Sequence, residues 1–238
     1  MAVLDLVQKF CERTGLPSPA TVLGSSDTQV VQIKAILEEE GNDLSSRGSW
    51  EGLTFEASHT TIAAEDQGAI STIASNGFRN VKNQTIWDRT DTLPVLGPMD
   101  GGEWQALKAL SNTGPRYQFR IRGGKLLVNP TPAAGHEWHF EYISKNWILG
   151  DDGTTYKNYF THDTDTLLLP EELLLMGLRW RWLREQGLDY AELFRTYEMQ
   201  VKDAMGRDGS KRVLSMSDSG WRGPRLGVFV PSGSWSVE

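Results

Sequence analysis

The chain has one cysteine, Cys11, and a single thiol builds neither a disulfide framework nor a zinc cage. Cys11 falls on the apolar side of a helical pattern and reads as a small core residue. No run of about 18 or more uncharged apolar residues occurs, so no membrane-spanning helix is expected. Met1 to Thr14 lacks the basic start and long apolar stretch of a signal peptide, which leads to the expectation of a protein made and kept in a cytoplasm. Basic residues are in deficit, 24 Lys and Arg against 31 Asp and Glu, for a net charge of -7. That balance argues against a stable grip on nucleic-acid phosphates. It leaves room for DNA passing by, because a channel in which DNA slides should repel phosphates.

Catalytic signatures are also missing. Gly-x-Ser-x-Gly, His-Glu-x-x-His and paired cysteines do not occur. Gly123-Gly124-Lys125 lacks the spacing of a phosphate loop, and no Ser or Thr follows the lysine, so it reads as a hairpin turn. His136 and His139 lie three apart on an expected strand, which sends them to opposite faces and prevents a shared metal. His162, Asp163 and Asp165 form a polar cluster with the chemistry to ligate a hard cation, although Asp-Thr-Asp is foremost a turn sequence. Glu171 and Glu172 suit the positive end of a helix. The expectation is a non-enzymatic chain with no cofactor and no metal.

What is present is a globular sequence of 238 residues, 39% apolar, with nine tryptophans. Its length suffices for one large domain or two small ones. Val3, Leu6, Val7 and Phe10 predict a helix to Thr14 with Gly15 as the stop, followed by a Pro17/Pro19 connector. Ser26 with Gln29 predicts a capping box for a second helix, striped by Val30, Ile33, Ile36/Leu37 and Leu44 and ending at Gly48. Leu53 to Ile62 alternates as a strand. Asp66 to Asn83 fits a loop or irregular strands, and Thr85 to Met99 fits short or edge strands limited by its prolines. Glu103 to Leu110 predicts a short helix with Trp104, Leu107 and Ala106/Leu110 on one side. Tyr117, Phe119 and Ile121 alternate with Gln118, Arg120 and Arg122; Gly123-Gly124 turns the chain and Lys125 to Val128 returns. Glu137 to Ile143 is a third strand with Trp138, Phe140 and Tyr142 on one face, and the three strands are expected as an antiparallel meander. Pro170 opens a helix to Gly187, and Asp189 with Glu192 caps another whose stripe is Tyr190, Leu193/Phe194, Tyr197, Val201 and Ala204/Met205, ending at Gly206.

The fold class expected is α+β: N- and C-terminal helices forming a helical bundle with an inserted antiparallel β domain, plus an extended C-terminal arm. The boundaries are 1–50 and 169–206 for the bundle, 51–168 for the β-rich domain with a short helix, and 207–238 for the arm. The arm is rich in Gly, Ser and Pro yet carries Trp221, Leu226, Val228, Phe229, Val230 and Trp235. Residues 206–238 hold five basic groups (Arg207, Lys211, Arg212, Arg222 and Arg225) against three acidic ones, a net of +2 that leaves -9 on the body. Such an arm suits a neighbouring subunit rather than solvent.

Three stretches then carry a family resemblance. The first runs from Ile86-Trp87-Asp88-Arg89-Thr90 through Leu96-Gly97-Pro98 to Glu103-Trp104-Gln105-Ala106-Leu107. The second runs from Phe119-Arg120-Ile121-Arg122-Gly123-Gly124-Lys125-Leu126 through Pro130 to Phe140-Glu141-Tyr142-Ile143-Ser144 and Asn146-Trp147. The third runs from Phe160-Thr161-His162-Asp163-Thr164-Asp165-Thr166 through Leu169-Pro170-Glu171-Glu172-Leu173 to Trp180-Arg181-Trp182-Leu183, Gly187-Leu188-Asp189-Tyr190-Ala191 and Arg207-Asp208-Gly209. Together they resemble the head–tail adaptors, or tail tubular A proteins, of podoviruses and related prophages. The likeness covers most of residues 86–214, is looser over the N-terminal helices and hardly touches 55–85. It implies a virion subunit at the head–tail junction, made in the host bacterial cytoplasm. Its partners would be itself, as a dodecameric ring, the portal protein above and the tail nozzle (tail tubular B-type) protein below, with DNA passing through the lumen without specific binding and no membrane. The helical part would meet the portal and the β part the tail. Arms would reach onto the portal or a neighbouring subunit through Trp221, Arg222, Arg225, Leu226, Val228, Phe229, Val230 and Trp235. Some relatives are associated with glycan or peptidoglycan hydrolysis, which makes a tail-associated hydrolase the alternative, with Glu103, Asp163 or Asp165 as acids. A connector that grips DNA is a further rival, opposed by the acidic body.

Overall fold

Val3, Leu6, Val7, Phe10 and Cys11 recur at helical spacing, and α1 (Val3–Thr14) buries all five. The computed structural model describes residues 1–110 and 116–209. α1 stops at Gly15, whose left-handed backbone (φ 72°) returns its N–H to the Cys11 carbonyl. α2 (Thr28–Arg47) buries Val30, Ile33, Ile36, Leu37 and Leu44 and ends at Gly48, as their spacing requires. Its cap is Asp27 and not Ser26: the Asp27 carboxylate accepts the Gln29 N–H at 2.9 Å. A carboxylate complements the positive end of the helix more strongly than a hydroxyl.

α5 (Glu171–Glu185) and α6 (Ala191–Arg207) complete the helical part, and α1, α2, α5 and α6 share one apolar core. α5 packs against each of the other three. Pro170 stands at the cap of α5, one residue earlier than a first-turn position. The expected Asp189–Glu192 box does not form at α6. Tyr190 is the cap residue and makes no side-chain capping bond, while Asp189 accepts only the Ala191 N–H. The α6 stripe is also narrower than its pattern. Tyr197 and Val201 are buried, but Tyr190, Phe194 and Met205 stay more than a third exposed because α6 meets its neighbours along one seam. The helix runs to Arg207, and the Asp208 carboxylate then accepts the Glu51 N–H at 2.8 Å.

The β elements build three antiparallel sheets among the described residues. β8 (Glu137–Ser144) is the centre of the largest. β1 (Thr54–Thr60) flanks it in register from Thr54↔Ile143 to Thr60↔Glu137. β3 (Phe78–Val81) and β4 (Trp87–Asp88) lie end to end along its other edge, and β5 (Leu93–Pro94) pairs with β4. The hairpin of β6 (Gln118–Arg122) and β7 (Lys125–Asn129) forms as its sequence predicts, with Gly123 and Gly124 both at positive φ. β2 (Asp66–Ala69) adds to the far edge of β7. The third sheet holds β9 (Ile148–Leu149) between β10 (Tyr156–Lys157) and β11 (Thr166–Leu167).

The expected meander of the β6–β7 hairpin with β8 is therefore corrected: β8 belongs to a different sheet. Pro130 and Pro132, lacking N–H groups, cannot continue a ladder beyond β7. The chain is instead caught by the end of β1, where Thr61 N–H donates to the His136 carbonyl and Gly135 N–H donates to the Thr61 carbonyl, both at 2.9 Å. Residues 66–83 resolve into β2, the one-turn α3 (Ile70–Ile73) and β3. The helix predicted at 103–110 is α4 (Gly101–Ala109), started by an Asp100–Glu103 capping box. Trp104 is its one buried residue; Leu107 is partly buried, while Ala106 and Leu110 (70% exposed) are open, so the apolar side is narrower than its pattern.

β8 links two cores. Trp138, Phe140 and Tyr142 share one face, as their alternation predicts, and fill the core between the sheets with Phe119, Leu126 and Val128. Ile143, with Trp147 and Ile148 beyond it, belongs to the helical core. Six of the seven tryptophans among the described residues are buried, so these are core residues; only Trp87 is partly open.

Charge also enters the helical core. Glu40 is fully buried on α2 and receives the Arg181 guanidinium of α5 (Nε to Oε2, 2.6 Å) and the Tyr197 hydroxyl of α6. Arg181 also reaches Glu39, and Asp43 at 2.9 Å. Gly177 makes room: a Cβ there would sit 2.1 Å from the Glu40 carboxyl carbon. Burial raises the Glu40 carboxyl above its ordinary range, and the Tyr197 and Arg181 hydrogen bonds partly oppose this. Removing one partner strands the other. Arg181→Met is expected to cost about 3–5 kcal/mol in chemical denaturation, and Glu40→Met/Arg181→Met to recover most of it. A single variant as stable as the wild type would show that the network contributes nothing.

Candidate functional site

The residues read as the interface arm (Trp221, Arg222, Arg225, Leu226, Val228, Phe229, Val230 and Trp235) lie outside the described residues. The polar groups singled out for chemistry lie inside them, and each has a definite task. Glu103 accepts the Asp100 N–H at 3.2 Å while Asp100 accepts the Glu103 N–H at 2.8 Å, which closes the start of α4. Asp163 accepts the N–H groups of Val22 and Leu23 at 3.0 and 2.9 Å, tying the α1–α2 connector to the loop before α5. Burial would raise its carboxyl, but hydrogen bonds from Thr21, Leu23 and Val22 outweigh that and hold it low.

Asp165 is fully buried. It accepts N–H groups from Thr161 (2.7 Å), His162 (3.1 Å) and Asp151 (3.2 Å), and the Lys157 ammonium at 3.0 Å. These bonds overcome the effect of burial and keep its carboxyl below the usual range. Asp151, His162 and Asp165 come within 4.8 Å of one another, a spacing compatible with a metal. Lys157 already supplies the cation there, and Asp165 has no oxygen left over. The cluster works as a turn.

A second grouping was not anticipated: Asp88, Asp91 and His136. Asp88 is fully buried at the end of β4. Its Oδ1 accepts the Thr90 and Asp91 N–H groups at 2.9 and 3.2 Å, and its Oδ2 lies 2.8 Å from His136 Nδ1. Asp91 stands 3.5 Å from the same nitrogen. Burial alone would raise the Asp88 carboxyl; His136 and the two backbone donors reverse this and lower it. The Asp88 hydrogen bond in turn raises the His136 imidazole, against a smaller effect of burial. The signal for this site in the sequence was Asp88-Arg89-Thr90, a turn in which a short carboxylate folds back on the backbone. His139, on the other face as its spacing requires, sits 3.3 Å from Glu56.

Glu56 belongs to a shallow cleft of about 310 Å³ on the outer face of the β8 sheet, with Trp87, Arg89, His139 and Glu141. Glu56 and Glu141 are directly opposed in the β1–β8 ladder. Glu56 is bound by Arg89 as well as His139, and Glu141 lies 3.5 Å from Lys82. Both carboxylates are about half exposed. A glycosidase needs one carboxyl kept protonated, usually by apolar burial. Here open solvent and cations surround both.

The Asp88–His136 pair sets a pH dependence. A raised histidine contributes fully below its unfolded value of about 6.5 and less as pH rises through its folded value; a lowered aspartate contributes fully above about 3.9 and less as pH falls through its folded value. The pair therefore supports the fold best between about pH 4 and 6.5. His136→Asn should cost about 1–3 kcal/mol near pH 5.5, with the difference from wild type shrinking towards pH 9. Denaturation midpoints across that range would read it, and a constant difference would exclude an ionised pair. No family model matches the chain and no curated protein matches it significantly, so the functional reading rests on the resemblance carried by its own residues and on its geometry.

Proposed function

We propose that this chain is a structural head–tail adaptor of a short-tailed bacteriophage, one subunit of a ring between portal and tail nozzle that extends the DNA channel. The observation that carries the reading is the sequence resemblance over residues 86–214, and the employment of the polar groups agrees with it. Glu103, Asp163, Asp165, Asp88 and the Glu40–Arg181–Tyr197 network are committed to caps, turns and inter-element ties, which is the chemistry of a rigid connector. In this reading α1, α2, α5 and α6 form the bundle that meets the portal, and the β elements form the insertion that faces the nozzle. Residues 207–238 are the arm, whose Trp221, Phe229 and Trp235 seat on the portal or a neighbouring subunit. The work is assembly: the ring joins after packaging, helps retain DNA and receives the tail. No step of it needs a cofactor.

The test is mixing with a portal ring, followed by mass and size. Full-length protein should join the portal as a ring, and a chain ending at Gly209 should not. That truncation keeps α6 and the Asp208–Glu51 contact, so a loss is not a folding defect. If full-length protein stays apart from a cognate portal at every salt concentration tried, the adaptor reading falls. The weaker alternative is a glycan hydrolase, favoured only by the facing Glu56 and Glu141. It predicts release of fragments from peptidoglycan that Glu56→Gln abolishes; no release by the folded wild type removes it.

A further inference from the structure

The cations of the β elements are almost all matched. Lys82, Arg89, Lys108, Lys125 and Lys157 each lie within ion-pair distance of a carboxylate, and Arg79 donates to Ser45 at the end of α2. Arg116, Arg120 and Arg122 are different. Their side chains form no ion pair and no hydrogen bond among the described residues, and Lys145 is the only other such cation between residues 51 and 168. All three come from one stretch; Arg120 and Arg122 alternate along β6 and share the face opposite buried Phe119, and Arg116 lies two residues before the strand begins. Arg116 and Arg122 are exposed, and Arg120 is half-buried beside Gly101 at the start of α4. Acids on the adjoining elements are spent: Asp66 binds Lys125 at 2.5 Å, and Asp100 and Glu103, beside the Gly101 that Arg120 approaches, close their capping box.

An acidic chain that leaves three arginines unmatched in one short stretch has separated its charge. Leaving them so forgoes local ion pairs and creates a positive strip suited to a regular polyanion. Alternate strand residues advance about 6.7 Å, which is the axial rise of about two phosphates along one DNA strand. We infer that this β6 face is the contact of the chain with the backbone of duplex DNA, touching phosphates without reading bases. The inference rests on the adaptor reading, which supplies duplex DNA in a lumen, and it names the surface that faces that lumen. This reverses, at one strip, the expectation of a channel that only repels phosphates: a few contacts per subunit on an otherwise acidic chain, screened by salt, would centre DNA without arresting it.

The probe is a labelled duplex of random sequence titrated with the full chain. Three phosphate contacts predict a log–log salt slope of about -2.7, so the affinity should fall about 40-fold between about 50 and 200 mM salt. Arg116→Gln/Arg120→Gln/Arg122→Gln should remove most of that dependence. Arg122→Gln alone, at an open turn where folding is not at stake, should flatten the slope by about 0.9. A chain ending at Gly209 should bind as the wild type does. Absence of binding at low salt, a triple variant with the wild-type slope, or binding lost with the arm instead would each overturn the inference. Equal competition by polyglutamate would also overturn it, since the face would then take any acidic chain. The triple variant should still join the portal. Loss of DNA binding with portal binding intact separates this inference from the adaptor reading, which fails only if the unmutated chain ignores the portal.

Discussion

A carboxylate with no access to water governs the helical half of this molecule. Glu40 tolerates its position only because a guanidinium from α5 and a hydroxyl from α6 converge on it, and because residue 177 has no side chain to intrude. Three helices are thus bound to one point, and none can slide along another without stranding a charge. An apolar core alone would admit small shifts of register, since leucine contacts are nearly interchangeable. A hydrogen-bonded ion network is not, and its contribution is uniqueness of packing more than net stability.

The same economy runs through the β half. Asp88, Asp165 and Asp100 each fold back on backbone N–H groups where the chain changes direction, and Asp163 accepts those of the distant α1–α2 connector. These bonds satisfy donors that would otherwise be lost in the interior. β8 then carries the two halves as one body, because its aromatic face fills one core and its final residues enter the other. Trp147 reinforces the junction: its ring closes on Gly41, and its indole N–H donates to Asn42 at 3.0 Å. The adaptor proposed above would gain stiffness from this construction.

Much of the architecture was legible where a pattern is local. The α1 stripe, the Gly15 and Gly48 stops, the Gly123-Gly124 hairpin and the shared face of Trp138, Phe140 and Tyr142 all follow from spacing. What could not be read depends on distant partners. The sheet that β8 joins is set by its long pairing with β1, whose residues stand far earlier in the chain (Thr54↔Ile143 to Thr60↔Glu137). Glu40 stands in the acidic run Glu38-Glu39-Glu40, yet it falls on the stripe between Leu37 and Leu44. That position, with Gly41 beside it, was the available signal of a buried charge. The Asp88–His136 tie was hidden for the same reason, since its members are 48 residues apart. The residues of the proposed arm were recognised by composition, which names a candidate surface but not its geometry.

The small contact between Asp208 and the Glu51 amide has a geometric result for everything beyond it. It fastens the last turn of α6 to the 3-10 turn Glu51–Leu53, where the helical core gives way to β1. The 29 residues from Ser210 to Glu238 therefore start from a fixed origin rather than from a fraying helix end. Covalent geometry bounds their reach at about 100 Å, measured from that origin. The packing of α6 against that turn, and not the residues that follow, sets where this origin lies on the body.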